Sequence, residues 1–112
     1  MKRYCLTLDL KDDPELIRAY EAHHKAVWPG IVDSIRNSGI RQMEIYRHET
    51  RLFMIMEVED HFSFEKKGQM DAGNPEVQKW EQLMWDYQQP LAGSAPGEKW
   101  KLMNRIFDLT DF

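Results

Sequence analysis

The stretch RAYEAHHKAVWPGI, residues 18–31, brings Tyr20, His23, His24 and Trp28 close together and ends in a Trp-Pro step. A histidine with an ordinary pKa of about 6.5 exchanges a proton near neutral pH, and a phenol one helical turn away can orient the imidazole or its substrate. These residue types therefore offer general acid–base chemistry. Placed at about 100° per residue on a helix, residues 15–27 put Glu15, Arg18, Glu21 and Lys25 on one side. Leu16, Ala19, Tyr20, His23 and Val27 fall on the opposite side, which faces the core. Tyr20 and His24, four residues apart, are neighbours. His23 lies near the middle of the apolar stripe and His24 at its flank beside Ile17, so periodicity leaves the choice between the two histidines open.

Two further segments carry polar groups beside apolar walls. EVQKWEQLMWDY sets Glu81 next to Trp80, and an aromatic plane beside acceptors suits a sugar, which shows a C–H face and an array of hydroxyls. In IRQMEIYRH, Gln42, Glu44 and Tyr46 share one strand face and Met43 and Ile45 the other, making Glu44 a second candidate carboxylate. A metal site is not expected, since adjacent histidines point about 100° apart on a helix and no HxxxH pair occurs. Cys5 is the single cysteine; it excludes an internal disulfide framework and reads as a small buried hydrophobe. No glycine-rich phosphate loop is present, which argues against a nucleotide cofactor, and no nucleophile motif occurs.

The elements that must position these groups follow in order. RYCLTLDL, residues 3–10, alternates as a strand, with Tyr4, Leu6 and Leu8 on one face. Asp13-Pro14-Glu15 opens a helix that Trp28-Pro29 should break, and a second helical piece runs on to about Asn37. IRQMEIYRH and LFMIMEVED, joined by a polar ETR turn, form a predicted hairpin. A short helix over 61–72, a longer one over NPEVQKWEQLMWDYQQ and a last strand KWKLMNRIFDL complete the order. With each helix doubled, this is the βαββαβ pattern of a ferredoxin-like α+β sandwich in a single domain, residues 1–112.

With 42% apolar and 30% charged residues, the composition is that of a globular protein, and no apolar run is long enough to cross a membrane. The N-terminus turns polar too early for a signal peptide, which points to the cytoplasm. A net charge of −4 and the lack of a clustered basic face argue against nucleic acid as a partner. LFMIM is apolar on both faces, yet helices cover only one face of a ferredoxin-like sheet. A second copy, sheet facing sheet, is the expected cover, which predicts a two-fold homodimer; the alternative is a ligand-filled face on a monomer.

The run AYEAHHKAVWPGI, with tyrosine four residues before histidine and Trp-Pro following, resembles the L-rhamnose mutarotase family. The likeness continues through SGIRQMEIYRHETRLFMIMEVED and VQKWEQLM and so spans residues 1–90; the C-terminal strand matches loosely. The resemblance implies a cofactor-free enzyme on a dimeric α/β barrel that interconverts the α and β anomers of a 6-deoxy-L-hexose. It places the general acid on His24, sugar-binding groups on Tyr20 and Trp80, and Trp28 within the family's Tyr-x-x-x-His-x-x-x-Trp-Pro run. This chain departs from the family's pattern in having Met43 where a second tyrosine is expected and Trp80-Glu81 where a tryptophan pair is expected. A lost hydroxyl and a gained carboxylate imply a different set of sugar hydroxyls, favouring L-fucose over L-rhamnose. Two other readings share the predicted architecture: a dimeric α/β-barrel monooxygenase and a non-catalytic sugar-binding module.

Overall fold

The computed structural model describes residues 1–112 and contains β1 (Lys2–Leu10), α1 (Pro14–Lys25), α2 (Pro29–Asn37), β2 (Ile40–His48), β3 (Arg51–Val58), α3 (Phe64–Ala72), α4 (Pro75–Trp85), β4 (Gln88–Gln89) and β5 (Lys101–Leu102). The strands form one antiparallel sheet in the order β2-β3-β1-β4, with β5 also on β1. This is the ferredoxin-like arrangement expected from the pattern.

Alternation decides the two faces of the sheet. Leu6, Leu8 and Leu10 of β1 and Leu52, Met54, Met56 and Val58 of β3 are buried beneath the helices. Burying a side chain of this size stabilises the fold by about 1.5–3 kcal/mol. The intervening Cys5, Thr7, Phe53 and Ile55 face the other way and are only half-buried. Cys5 therefore departs from the expected buried position. In β2 the pairing slips between Ile40 and Gln42, opposite Val58 and Glu57. The extra residue lets buried Ile40 and half-buried Met43 and Ile45 all turn toward the helices despite their different parity.

Local chemistry fixes the helix starts. Asp13 Oδ1 accepts from the backbone N–H groups of Glu15 (2.9 Å) and Leu16 (3.3 Å). Asn74 Oδ1 does the same for Glu76 and Val77 at the start of α4. Such caps are worth about 1 kcal/mol each. Trp28 begins α2 with ψ 135°, the extended conformation that the following Pro29 imposes, and its side chain supplies no cap. The Glu76 carboxylate lies against Gly30 in the first turn of α2, where any Cβ would collide with it. The carboxylate thereby places a negative charge at the positive end of α2.

The C-terminal third differs from the sequence expectation. α4 stops at Trp85, and Gln88–Gln89 pair with Asp9–Leu10 as a short strand. The expected strand over residues 99–109 is reduced to Lys101–Leu102 opposite Leu6–Thr7, and the bond from Met103 N–H to Cys5 O (2.8 Å) is the last to the sheet. Two short pieces therefore share the place of a fourth strand. Beyond them Phe107 stacks on Phe112, and Ile106, Phe107, Leu109 and Phe112 remain 64–96% exposed.

Candidate active site

α1, α4, β2 and β4 surround a cavity of about 640 Å³ between the helices and the sheet. Tyr20, His24, Met43, Trp80, Glu81 and Gln88 are on its wall. A volume of this order accepts a small ligand with most of its surface enclosed.

His24 is held by its own helix. Its Nδ1 lies 2.8 Å from the backbone carbonyl of Tyr20, and because a carbonyl can only accept, Nδ1 carries the proton. Nε2 is then the unprotonated nitrogen. Burial holds the imidazole pKa below its usual 6.5, outweighing the stabilising carbonyl contact, and nearby His23 pushes it further down. The resting ring is accordingly a neutral base at neutral pH.

Tyr20 stacks obliquely on His24 with ring centroids 4.3 Å apart, and Trp80 meets His24 edge-to-face at 5.8 Å. Burial pushes the Tyr20 phenol up to about 12, so it stays a neutral hydroxyl. Gln88, buried in β4, donates from Nε2 to the Tyr20 hydroxyl at 3.3 Å. With its oxygen accepting there, the phenol keeps its own proton for another partner.

Glu81 gains a partner from the loop before β5. Lys99 Nζ donates to Glu81 Oε2 at 2.7 Å and to the Glu81 backbone carbonyl at 2.9 Å. The same ammonium lies 4.6 Å from the centre of the Trp85 ring. Lys99 is nearly buried, and three contacts together fix its position and that of the carboxylate.

The two histidines of α1 separate in space. His24 lines the cavity, whereas His23 Nε2 is 3.0 Å from the Tyr87 hydroxyl and does not. In α1, Tyr20 is buried and Ile17 is partly buried against the same core, so the inward side of the helix lies toward His24 relative to the helical projection. Met43 faces the cavity through the slip in β2. Trp28 does not line it but meets Trp80 edge-to-face at 5.0 Å and so supports that ring.

Glu44 requires a correction. Strand alternation sends it to the opposite face of the sheet, where it accepts from Gln42 and Tyr46 in solvent. A carboxylate there cannot reach a ligand in the cavity of the same chain. Sequence reasoning missed Gln88, Lys99 and Trp100, all of which shape the site. Gln88 read as the end of a helix, and Lys99 and Trp100 as part of a long strand. Only the burial of a lysine beside a tryptophan-rich helix marks Lys99 out, and that is invisible in one dimension.

The chain is similar over nearly its whole length to sugar mutarotases. Residues 3–109 match the family described as L-rhamnose mutarotase. The L-fucose mutarotase of Xanthomonas campestris pv. campestris is 47% identical, over 99% of this chain and 90% of that protein. The L-rhamnose mutarotase of Bacteroides thetaiotaomicron is 34% identical over 78% of this chain and 76% of that protein. The crystal structure of an L-rhamnose mutarotase from Formosa agariphila superimposes with a TM-score of 0.70 at 18% identity, covering 97% of this chain and 99% of that one. The tetracenomycin F2 cyclase of Streptomyces glaucescens shares the fold, with a TM-score of 0.61 at 16% identity over 96% of each chain. One architecture thus serves unrelated chemistries, and it is the sequence match that places this chain in the L-rhamnose mutarotase family.

Proposed function

We propose that this chain is a mutarotase that interconverts the α and β anomers of a 6-deoxy-L-hexose, with L-fucose preferred and L-rhamnose the alternative. The observation that carries the reading is the fixed tautomer of His24 on the cavity wall. Mutarotation needs a proton removed from the anomeric hydroxyl and a proton delivered to the ring oxygen. The bare Nε2 takes the first, and the C1–O bond to the ring oxygen breaks as C1 becomes an aldehyde. The imidazolium then acts as the acid, protonating the ring oxygen. Rotation about C1–C2 and the reverse transfers close the ring from the other face. No electrons are gained or lost, so the chemistry requires no redox group.

Tyr20 offers its hydroxyl proton to the sugar, Trp80 presents an apolar wall to its C–H face, and Trp28 backs Trp80. Glu81, paired with Lys99, serves as acceptor for a sugar hydroxyl or as the second proton-transfer group. The preference for L-fucose rests on the full-length similarity to an L-fucose mutarotase and on the altered wall of Met43 and Glu81. L-Fucose has its axial hydroxyl at C4 and L-rhamnose at C2. L-Rhamnose remains the competing substrate because the family match as a whole carries its name.

We further infer a cytoplasmic homodimer in which the outer sheet faces oppose. The half-buried row Cys5, Thr7, Phe53 and Ile55 and the exposed apolar tail support this, as both keep apolar surface open to solvent in a single chain. No helix is long and apolar enough to cross a membrane. The test is proton NMR magnetisation transfer between the α and β anomeric signals at catalytic protein concentrations. Exchange with L-fucose at least about tenfold faster than with L-rhamnose is expected. The reverse order makes this a rhamnose enzyme, and no exchange with either sugar overturns the reading.

A further inference from the structure

Gln88 is 97% buried by its 3% exposure, yet only one end of its amide is satisfied. Nε2 reaches the Tyr20 hydroxyl, while Oε1 is buried and has no hydrogen-bond partner. An orphaned buried polar atom is costly, and native folds keep few of them. The other such side-chain atom, Ser94 Oγ, does not line the cavity. Gln88 does, beside Tyr20, Met84 and Trp100. Turning the amide over changes nothing in this argument, since whichever end meets Tyr20 leaves the other unpaired.

The mounting of Gln88 is rigid. It belongs to β4, where it lies opposite Leu10, and the neighbouring Tyr87 carbonyl accepts from Lys11 N–H at 2.8 Å. A side chain anchored in the sheet and pinned at one amide end by Tyr20 has little freedom to find a partner elsewhere in the protein. A partner for it comes from the cavity: a water in the free protein, and a ligand group once one is bound.

We infer that Gln88 is a specificity-determining residue, whose free amide end pairs with one ring hydroxyl of the bound sugar while its other end sets the Tyr20 hydroxyl. This rests on the mutarotase reading above. A site with a buried polar group waiting for a hydroxyl discriminates against sugars that lack it, because binding then leaves that group unpaired. Methyl-bearing and apolar parts of the sugar are left to the tryptophan walls.

The test pairs Gln88→Met, which keeps the volume and removes both polar atoms, with L-fucose and its 2-deoxy, 3-deoxy and 4-deoxy analogues. Anomer exchange and, separately, the Kd from tryptophan fluorescence are measured for each. With L-fucose the variant should lose about ten- to a hundredfold in kcat/KM and Kd. With the one analogue that lacks the contacted hydroxyl, the loss should be at least about fivefold smaller than with L-fucose, the remainder being the loss of the bond that sets Tyr20. An equal loss on all four sugars means that Gln88 only holds Tyr20, and no loss on any means that it does neither; both overturn the inference. If the wild type binds the sugars but exchanges none, the mutarotase reading fails while the Kd panel still decides the role of Gln88. If the wild type binds none, both fall. A measurement on the unmutated chain covers misfolding of the variant: the Gln88 side-chain amide signal should shift on saturation with L-fucose and stay in place with that one analogue. Equal shifts with every sugar overturn the inference.

Discussion

The two faces of this sheet are built from the same three long strands and yet end in opposite states. The inner face places Leu6, Leu8, Leu10, Leu52, Met54, Met56 and Val58 under four helices, and a cavity remains where α1 and α4 part above β2. The outer face carries Cys5, Thr7, Phe53 and Ile55 half-exposed, with Glu44 and Tyr46 in solvent. One face is completed by its own chain and can therefore hold polar groups in fixed, desolvated positions. The other carries half-exposed apolar side chains, the surface that the proposed sheet-to-sheet dimer would cover. The comparison teaches that the helices do more than bury the sheet: they create the low-dielectric pocket in which His24 becomes a base.

Four experiments break or sharpen this contrast. His24→Ala should have the largest effect, cutting anomer exchange by about 10²- to 10⁴-fold, as expected for loss of a general acid–base group. Circular dichroism should show the fold intact, and the association state should not change. Full activity in a folded His24→Ala protein would remove the inner face's claim to the chemistry.

Ile55→Lys attacks the outer face. An unpaired charge in a sheet-to-sheet interface should weaken the dimer by at least about 10²-fold, which sedimentation velocity would show as a monomer at micromolar concentration. A wild-type protein that is already monomeric there would discard the dimer. If the monomeric variant still exchanges anomers normally, the inner face is self-sufficient; if exchange falls as well, the partner completes the pocket.

Lys99→Met takes the cation from Glu81 while preserving much of the apolar stem. Because Glu81 is partly exposed, solvent compensates in part, and a three- to tenfold rise in KM with kcat little changed is expected. A fall confined to kcat would instead place Glu81 in the proton transfers. The smallest effect is on the pH profile. His24 must be neutral to accept the anomeric proton, so kcat/KM should rise with pH through its pKa. Burial lowers that pKa, so the midpoint of the acid limb belongs below 6.5. A midpoint at or above 6.5 would show that the cavity does not desolvate His24.

Much of the inner face is legible in the sequence because its signals are local. Asp13-Pro14 and Asn74-Pro75 announce helix starts, and Trp28-Pro29 breaks one helix into two. Alternation identifies β1 and the β2–β3 hairpin, whose turn is Glu49-Thr50, since Arg51 already pairs with His48. The region after residue 85 is not legible in this way. WDYQQ continues a helical composition, but the chain turns at Asp86–Tyr87 because β1 offers an open edge at Asp9–Leu10. KLMNRIFDL has strand-like residues, but β1 runs out of partners for it after Cys5.

The sequence by itself determined that Tyr20 and His24 would be neighbours, because four residues on a helix leave no other arrangement. It also determined that β1 and β3 would each have one apolar side to bury. The tertiary structure decided which histidine lines the cavity, since that depends on how α1 packs against Ile31, Val77 and Trp80. It decided between Met43 and Glu44 as well, because only the packing of helices on one side gives strand alternation an inside and an outside. Gln88 meets Tyr20 across 68 residues, and Lys99 meets Glu81 across 18. Contacts at such separations depend on where the sheet ends and the helices lie, which is information held by the folded chain as a whole.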